Sequence, residues 1–157
     1  DIITNTGIYH LINVMGNYRI EKKKIWKTPT TLVLELYTKF HKGKILKSVV
    51  NSSNFVSFKL GKQPEYKNNK LIDSAVTMNG KHMCMSVVNK SSSEKILLKV
   101  PYLDRIAENY CIEGSNKVDL NTYANTSKVK IKQNSLKTNK GFLILPPHSI
   151  SVVLFNI

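Results

Sequence analysis

Residues 71–89 read LIDSAVTMNGKHMCMSVVN and carry the strongest structural signal in the chain. Two β-prone runs, Leu71–Met78 and Lys81–Asn89, flank the pair Asn79-Gly80. Asn-Gly favours a type I′ turn, in which both central residues adopt positive φ angles. The stretch therefore predicts a β-hairpin whose turn is centred on Asn79 and Gly80.

Short strands are predicted on both sides of this hairpin. From residue 44 onward the apolar residues recur mostly at every second position, the period of a half-buried strand. About nine short strands without an intervening helix indicate a sandwich or a barrel. Polar residues 61–70 are predicted to form a loop, and the remaining predicted strands are Lys44–Asn51, Asn54–Leu60, Glu94–Val100, Ile106–Glu113, Lys128–Lys132, Gly141–Leu145 and Ser149–Ile157.

The first 43 residues follow a different pattern, predicted to be helix, strand, helix. A first helix is indicated by helical spacing of Ile8, Leu11, Ile12 and Met15. A strand is predicted over Ile20–Lys27, and a second helix over Thr28–His41. Thr28 is a good N-cap residue, and Pro29 suits the first helical position. The sequence thus divides into 1–43 and 44–157, with the boundary near Gly43.

The charge of the chain is strongly positive, with 24 Lys and Arg against 10 Asp and Glu and a formal net charge of +14. Such a balance first suggests nucleic acid as a partner. However, the lysines are spread along the chain, and Arg19 and Arg105 are the only arginines. Arginine is the residue that makes bidentate contacts to guanine and phosphate. We therefore expect a solvated lysine-rich surface and no nucleic-acid partner.

The cysteines and the hydropathy of the chain indicate the compartment and bear on membrane association. Cys84 and Cys111 are too few for a disulfide framework and too isolated for a metal site. Buried thiols fit a reducing compartment, so a cytoplasmic location is slightly favoured. No apolar run approaches the ~18 residues of a membrane span, so no membrane partner is expected. The opening residues, DIITN, lack the basic region of a signal peptide.

Four stretches in register carry a resemblance to one family. They are TPTTLVLELY at 28–37, the hairpin from LIDSAV at 71–76 through SVVN at 86–89, the loop NTYANTSKV at 121–129, and LPPHSISV at 145–152. The set resembles the C-terminal part of the α-L-arabinofuranosidases of glycoside hydrolase family fifty-one. The match runs in order from about Ile8 to Ile157.

The resemblance implies an architecture and a reaction. These enzymes have a (β/α)₈ catalytic barrel followed by a jelly-roll-like antiparallel β-sandwich, so residues 1–43 would be the end of the barrel and 44–157 the sandwich. The expected partners are the barrel, in cis or on another chain, and an arabinose-containing oligosaccharide. The reaction would be retaining hydrolysis of terminal α-L-arabinofuranosyl linkages. The family commonly forms hexamers, so a homo-oligomer is expected.

Catalytic residues are not predicted within this chain. A retaining glycosidase needs two carboxyl groups about 5–5.5 Å apart. In the family the acid/base follows an asparagine, and this sequence contains no Asn-Glu pair. The ten carboxylates are scattered and are expected to balance lysines. We predict no catalytic residue, cofactor or metal, and no activity for the chain alone.

Histidines and aromatic residues are the remaining candidates for binding a ligand. His10, His41, His82 and His148 lack metal-ligand spacing, and His148 is expected to hold the Pro146-Pro147 turn. Aromatic faces can stack on sugar rings. The aromatics considered for this role are Trp26, Tyr66, Tyr102, Tyr110 and Tyr123. Trp26 is the leading candidate for a sugar contact or a barrel contact, because it falls at the end of the strand that would line the barrel mouth.

Three hypotheses follow. The first is a non-catalytic accessory sandwich that supports a barrel. It predicts that the helix stripe of Val33, Leu36, Tyr37 and Phe40 is exposed, because most of the barrel is missing. The second is a stand-alone carbohydrate-binding or assembly module, for which two coplanar exposed aromatic rings on one sheet would be evidence. The third is a basic nucleic-acid binder, which the low arginine content disfavours.

Overall fold

The computed structural model describes residues 10–14 and 16–157. This part of the chain is mostly β-strand. It also contains one α-helix and one short 3₁₀ turn, at Leu103–Arg105. The elements are β1 (Tyr18–Glu21), β2 (Lys24–Lys27), α1 (Pro29–Phe40), β3 (Lys44–Leu46), β4 (Asn54–Ser57), β5 (Tyr66–Lys70), β6 (Ile72–Asn79), β7 (His82–Asn89), β8 (Ile96–Leu98), β9 (Ile106–Glu113), β10 (Lys130–Gln133), β11 (Lys137–Asn139), β12 (Phe142–Leu145) and β13 (Ser149–Asn156).

Two antiparallel sheets form the body of the molecule. The large sheet has six strands in the order β10-β9-β13-β7-β6-β3, and the small sheet has three in the order β11-β12-β8. The strand β13 therefore lies in the middle of the large sheet, paired with β7 on one side and β9 on the other. The antiparallel β-sandwich predicted from the period-two pattern is confirmed.

The main hydrophobic core lies between the two sheets. Val87, Val153 and Phe155 reach it from the large sheet, and Leu143 and Leu145 reach it from β12 of the small sheet. All five side chains are at most 1% exposed. Because alternate residues of a strand point to opposite faces, these positions leave a second set of side chains on the outer face of the large sheet.

That outer face of the large sheet is covered by α1. Leu32 and Leu36 of the helix pack with Tyr110, Ile112 and Val152 of the sheet. The apolar stripe predicted to be exposed is therefore largely covered. Leu36 is only 2% exposed, and its neighbours Val33, Tyr37 and Phe40 are half-buried. The expectation was wrong because the helix packs on the sandwich itself, which supplies the apolar surface that amphipathic helices need.

The segment before α1 differs from the predicted helix and strand. The expected strand Ile20–Lys27 is a hairpin, because the chain reverses between Glu21 and Lys24 and pairs β1 with β2. At this reversal Lys22 has a φ of 55°. The first predicted helix lies partly outside the described residues, which include neither Ile8 nor Met15. The described residues 10–14 are bends and turns rather than helix.

The turn of the β6–β7 hairpin lies one residue later than predicted. Asn79 pairs with His82, so Gly80 and Lys81 are the central residues. Gly80 has a φ of 59°, whereas Lys81 is not among the residues with positive φ. Glycine at the first central position with positive φ is the pattern of a type II′ turn. The hairpin is confirmed, and the predicted type I′ turn is wrong.

Two strands were missed because their sequences are polar. β5, Tyr66–Lys70, falls in the segment predicted as loop, and β11 consists of Lys137, Thr138 and Asn139. Both are mostly exposed, so burial imposes no apolar alternation on them. The helix α1 and the strands β6, β7, β9, β12 and β13 match their predictions to within a few residues.

Candidate functional site

Trp26 joins the N-terminal hairpin to the sandwich. It lies in β2, its side chain is only 8% exposed, and its indole N–H donates a hydrogen bond of 2.9 Å to the carbonyl oxygen of Asn121. Its ring meets that of Tyr123 edge to face, with 6.3 Å between the centroids. The indole is thus held by the loop that precedes β10.

Asn121 links β2 to the loop before β10 through side-chain hydrogen bonds, and it was not among the residues predicted from the sequence. Its side-chain amide donates to the carbonyl oxygens of Lys27, at 3.0 Å, and Val129, at 2.9 Å. Its side-chain oxygen accepts from the backbone N–H of Val129 at 2.7 Å. The residue is buried, so these polar groups have little access to water. The only sequence signal was its position in the NTYANTSKV loop.

The start of α1 is tied to the residue before β1. The backbone N–H and the hydroxyl of Thr28 both donate to the carbonyl oxygen of Asn17, each at 2.9 Å, and the Thr31 hydroxyl donates to the same oxygen. Thr28 is the N-cap residue, as predicted, but its side chain makes no capping bond to the helix. Its hydroxyl instead holds the β1–β2 hairpin against the helix.

An apolar surface remains open on the N-terminal segment. Its exposed side chains are Leu11, Ile12, Val14, Ile20 and Ile25. Ile20 and Ile25 lie directly opposite each other in the β1–β2 pair. Clustered exposed aliphatic side chains mark surfaces that contact another protein. We call these five residues the N-terminal apolar face.

The carboxylates of the described residues are dispersed, and several of them form ion pairs with lysines. Asp119 and Glu113 border a groove of about 380 Å³ at the start of α1, but Lys128 lies 2.7 Å from Asp119 and Lys132 contacts Glu113. The hydrogen bonds from Lys128 and Ser115 lower the pKa of Asp119. The Asp119 carboxylate is therefore suited to charge pairing rather than to proton donation.

Three of the histidines, His41, His82 and His148, lie in separate places in the described fold. His41 accepts or donates a hydrogen bond with the Thr77 hydroxyl at 3.2 Å, and burial lowers the pKa of its imidazole. His82 contacts Asn156. The ring nitrogens of His148 lie 3.2 and 3.1 Å from the carbonyl oxygens of Ser92 and Gly114. Within residues 10–14 and 16–157, no group of three or more His, Cys, Asp or Glu could hold a metal ion.

The cysteines and three of the candidate tyrosines make no contact with Trp26. Cys84 and Cys111 are buried and unpaired, and burial raises the pKa of the Cys84 thiol to about 12. Tyr110 is buried against Phe40, with 4.6 Å between ring centroids. Tyr66 and Tyr102 are exposed in different elements. The candidate aromatics therefore do not form one binding surface, apart from the contact between Trp26 and Tyr123.

A larger groove of about 980 Å³ opens at one side of the sandwich. It lies between β8 of the small sheet and β6 of the large sheet, next to the segment 46–53. Its lining includes Val50, Val76, Leu98 and Phe155. No helix in the described part of the chain is both long and apolar enough to cross a membrane.

Comparison with solved structures gives the same fold. The chain superimposes on an α-L-arabinofuranosidase from Thermotoga maritima with a TM-score of 0.79 at 23% identity, covering 95% of this chain and 33% of that one. A thermostable enzyme of the same kind from Thermotoga petrophila gives 0.77 at 23% identity, covering 93% and 32%. The family 51 enzyme from Bifidobacterium longum gives 0.76 at 17% identity, covering 94% and 30%.

The chain thus spans about a third of the length of these enzymes. Among curated proteins, no sequence matches it. The model of one protein family, described as the α-L-arabinofuranosidase C-terminal domain, matches residues 1–149. Since this match takes in nearly the whole sequence, and the sandwich fold agrees with it, the chain belongs to the α-L-arabinofuranosidase C-terminal domain family.

Proposed function

We propose that this chain is the accessory sandwich of an α-L-arabinofuranosidase, supporting a catalytic barrel that hydrolyses terminal α-L-arabinofuranosyl linkages. The observation that carries the proposal is the family match over residues 1–149 in a chain about a third as long as the solved enzymes. The chain alone is proposed to be inactive. The substrate would be an arabinose-containing oligosaccharide bound by the barrel.

The N-terminal apolar face is the surface proposed to meet the barrel. Its aliphatic side chains would be costly to leave in water, at about 25 cal/mol for each Å² of apolar surface. Residues 1–43 would then be the part of the chain that belongs with the barrel. The hydrogen bonds from Trp26 to Asn121 and from Asn121 to Lys27 would hold this part against the sandwich. Trp26 would serve this junction rather than bind sugar, since its side chain is buried and its indole N–H already donates to the Asn121 carbonyl oxygen.

Finer features of the family are proposed on the same grounds. They are a jelly-roll connection of the strands and self-association into a homo-oligomer. The competing function, a stand-alone carbohydrate-binding module, is less well supported. Of the candidate aromatics, Trp26 and Tyr110 are buried, and the exposed Tyr66 and Tyr102 lie in different elements.

The test uses the enzyme that contains the barrel together with these residues, and a chromogenic α-L-arabinofuranoside as substrate. Ile25→Glu places a charge in the N-terminal apolar face and is expected to lower the thermal stability of the activity by several degrees. The matched control is Ile45→Glu, which also changes an exposed isoleucine in a strand. Hydrolysis by the 157-residue chain alone, or equal effects of both variants, would contradict the proposal.

A further inference from the structure

The tip of the β1–β2 hairpin places two lysines on one tyrosine ring. The turn reads Lys22-Lys23-Lys24, and all three side chains are exposed. The Nζ atoms of Lys22 and Lys24 lie 5.2 and 4.5 Å from the centroid of the Tyr123 ring. Lys22 has a φ of 55°, a left-handed conformation that a residue other than glycine adopts at an energetic cost. We call Lys22, Lys24 and Tyr123 the lysine–tyrosine corner.

The charge of the lysine–tyrosine corner is not balanced by a neighbouring carboxylate. Within residues 10–14 and 16–157, neither Lys22 nor Lys24 forms an ion pair. Glu21 lies opposite Lys24 in the strand register, yet in the same described residues its carboxylate pairs with no lysine or arginine. Two like charges held at one ring repel each other. An anion bound between the two ammonium groups would remove this repulsion.

Uncharged hydrogen-bond donors lie next to these two ammonium groups. Among the described residues, the Tyr123 hydroxyl has no hydrogen-bond partner, and neither has the side-chain N–H₂ group of Asn125, which is exposed in the same loop. The loop itself is fixed, because the Asn121 side chain bonds to the backbone of Val129 and the Trp26 ring meets that of Tyr123. Donors on a fixed loop lose little freedom when a ligand binds. The corner is therefore prepared for an anionic ligand that also carries hydroxyl groups.

The lysine–tyrosine corner stays open when the N-terminal apolar face is covered. Ile20 and Ile25 lie opposite each other and share one face of the β1–β2 hairpin. Lys24 and Trp26 flank Ile25 along β2, so their side chains point to the other face. A barrel packed on Ile20 and Ile25, as proposed above, would leave Lys24 and Tyr123 accessible.

We propose that the lysine–tyrosine corner binds an acidic saccharide, a sugar ring that carries a carboxylate. Lys22 and Lys24 pair with the carboxylate, and the Tyr123 hydroxyl and the Asn125 amide donate to oxygen atoms of the same sugar. A uronic acid unit offers both kinds of acceptor, since it has one carboxylate and several hydroxyl groups. The choice of a saccharide rests on the proposed function, in which this chain accompanies an enzyme that acts on oligosaccharides.

Saturation-transfer NMR on this chain, at constant ionic strength, tests the proposal by measuring binding from the ligand side. The probes are sodium glucuronate, glucose, which has a hydroxymethyl group in place of the carboxylate, and sodium acetate, which has the carboxylate without the ring. Glucuronate should bind with a dissociation constant about tenfold lower than that of either control, since only it uses both sets of donors. Equal binding of glucose would overturn the role of the lysines. Equal binding of acetate would reveal a site for any carboxylate and would overturn the assignment to a saccharide.

Paired substitutions locate the site. Lys22→Gln combined with Lys24→Gln should raise the dissociation constant for glucuronate about tenfold, and Tyr123→Phe, which keeps the ring, about threefold. The control combines Lys137→Gln with Lys140→Gln. It removes the same charge, also from one strand residue and one residue with positive φ, which is 46° at Lys140. An equal loss of binding in the control pair would refute a specific site at the hairpin tip.

This outcome is separate from that of the arabinofuranosidase assay. If glucuronate does not bind while the enzyme that contains the barrel hydrolyses the chromogenic α-L-arabinofuranoside, only the inference about the lysine–tyrosine corner is overturned. If glucuronate binds to this chain and that enzyme is inactive, the proposed accessory function is overturned and the acidic-saccharide site stands.

Discussion

Asn121→Ala should weaken the junction between the N-terminal hairpin and the sandwich. The change removes three hydrogen bonds, two donated to the carbonyl oxygens of Lys27 and Val129 and one accepted from the Val129 N–H. At about 1 kcal/mol for each bond, the free energy of unfolding should fall by about 3 kcal/mol. The hydrogen bond from Trp26 is made to the backbone carbonyl of Asn121, so it survives the substitution.

Urea unfolding followed by tryptophan fluorescence measures this loss directly. Trp26 is the only tryptophan, and it lies against the altered loop. With a slope of about 2 kcal/mol per molar urea, the midpoint should shift down by about 1.5 M. Asn125→Ala is the control, because Asn125 is exposed in the same loop. A midpoint for Asn121→Ala within 0.3 M or so of the control would refute the assigned role, since that corresponds to only about 0.6 kcal/mol.

Three further predictions concern stability. Leu36→Ala should lower the free energy of unfolding by about 3 kcal/mol, because it opens a cavity between α1 and the sheet. Leu97 is exposed, so Leu97→Ala should lower it by less than about 0.5 kcal/mol. Chemical denaturation measures both values. Burial lowers the pKa of His41 below 6.5, so the unfolded chain binds a proton near pH 6.5 that the folded chain does not. The free energy of unfolding should therefore decrease as the pH is lowered from 7.5 to 5.5, and it should decrease less in His41→Gln. Gly61→Ala should lower the free energy of unfolding by about 1–2 kcal/mol because of the positive φ alone. Gly43→Ala should lower it clearly more, because the added Cβ would lie 2.1 Å from a carbonyl oxygen of β6. Thermal unfolding of both variants measures the two losses.

Strands buried on both faces could be predicted well from the sequence. β7 and β13 contact the small sheet with one set of side chains and α1 with the other, so both are nearly continuous apolar runs bounded by turns. The polar strands β5 and β11 carry no such pattern, because few of their side chains are buried. The turn of the β6–β7 hairpin was misplaced by one residue, because glycine suits either of the two turn types that the pair Asn79-Gly80 allows.

The candidate site was only partly predictable. Trp26 was singled out among the aromatics by its position at the end of a predicted strand, and the structure places it in a junction between two parts of the chain. Asn121 was missed because its role depends on a contact 94 residues away in sequence, with Lys27. A polar residue in a polar loop gives no sign of burial. The exposed helix stripe was wrongly predicted because periodicity identifies an apolar face but not the surface that covers it.

The central place of β13 in the large sheet has a consequence for protein synthesis. The ribosome makes β7 and β9 well before β13, yet these two strands are joined in the sheet only through β13. Until it emerges, the strands split into β3-β6-β7 and β9-β10, and α1 has only part of its packing surface. Such long-range pairing makes folding slow. The apolar strands of a nascent chain would therefore stay exposed to solvent until this region has been translated. Chaperones could bind them during that time.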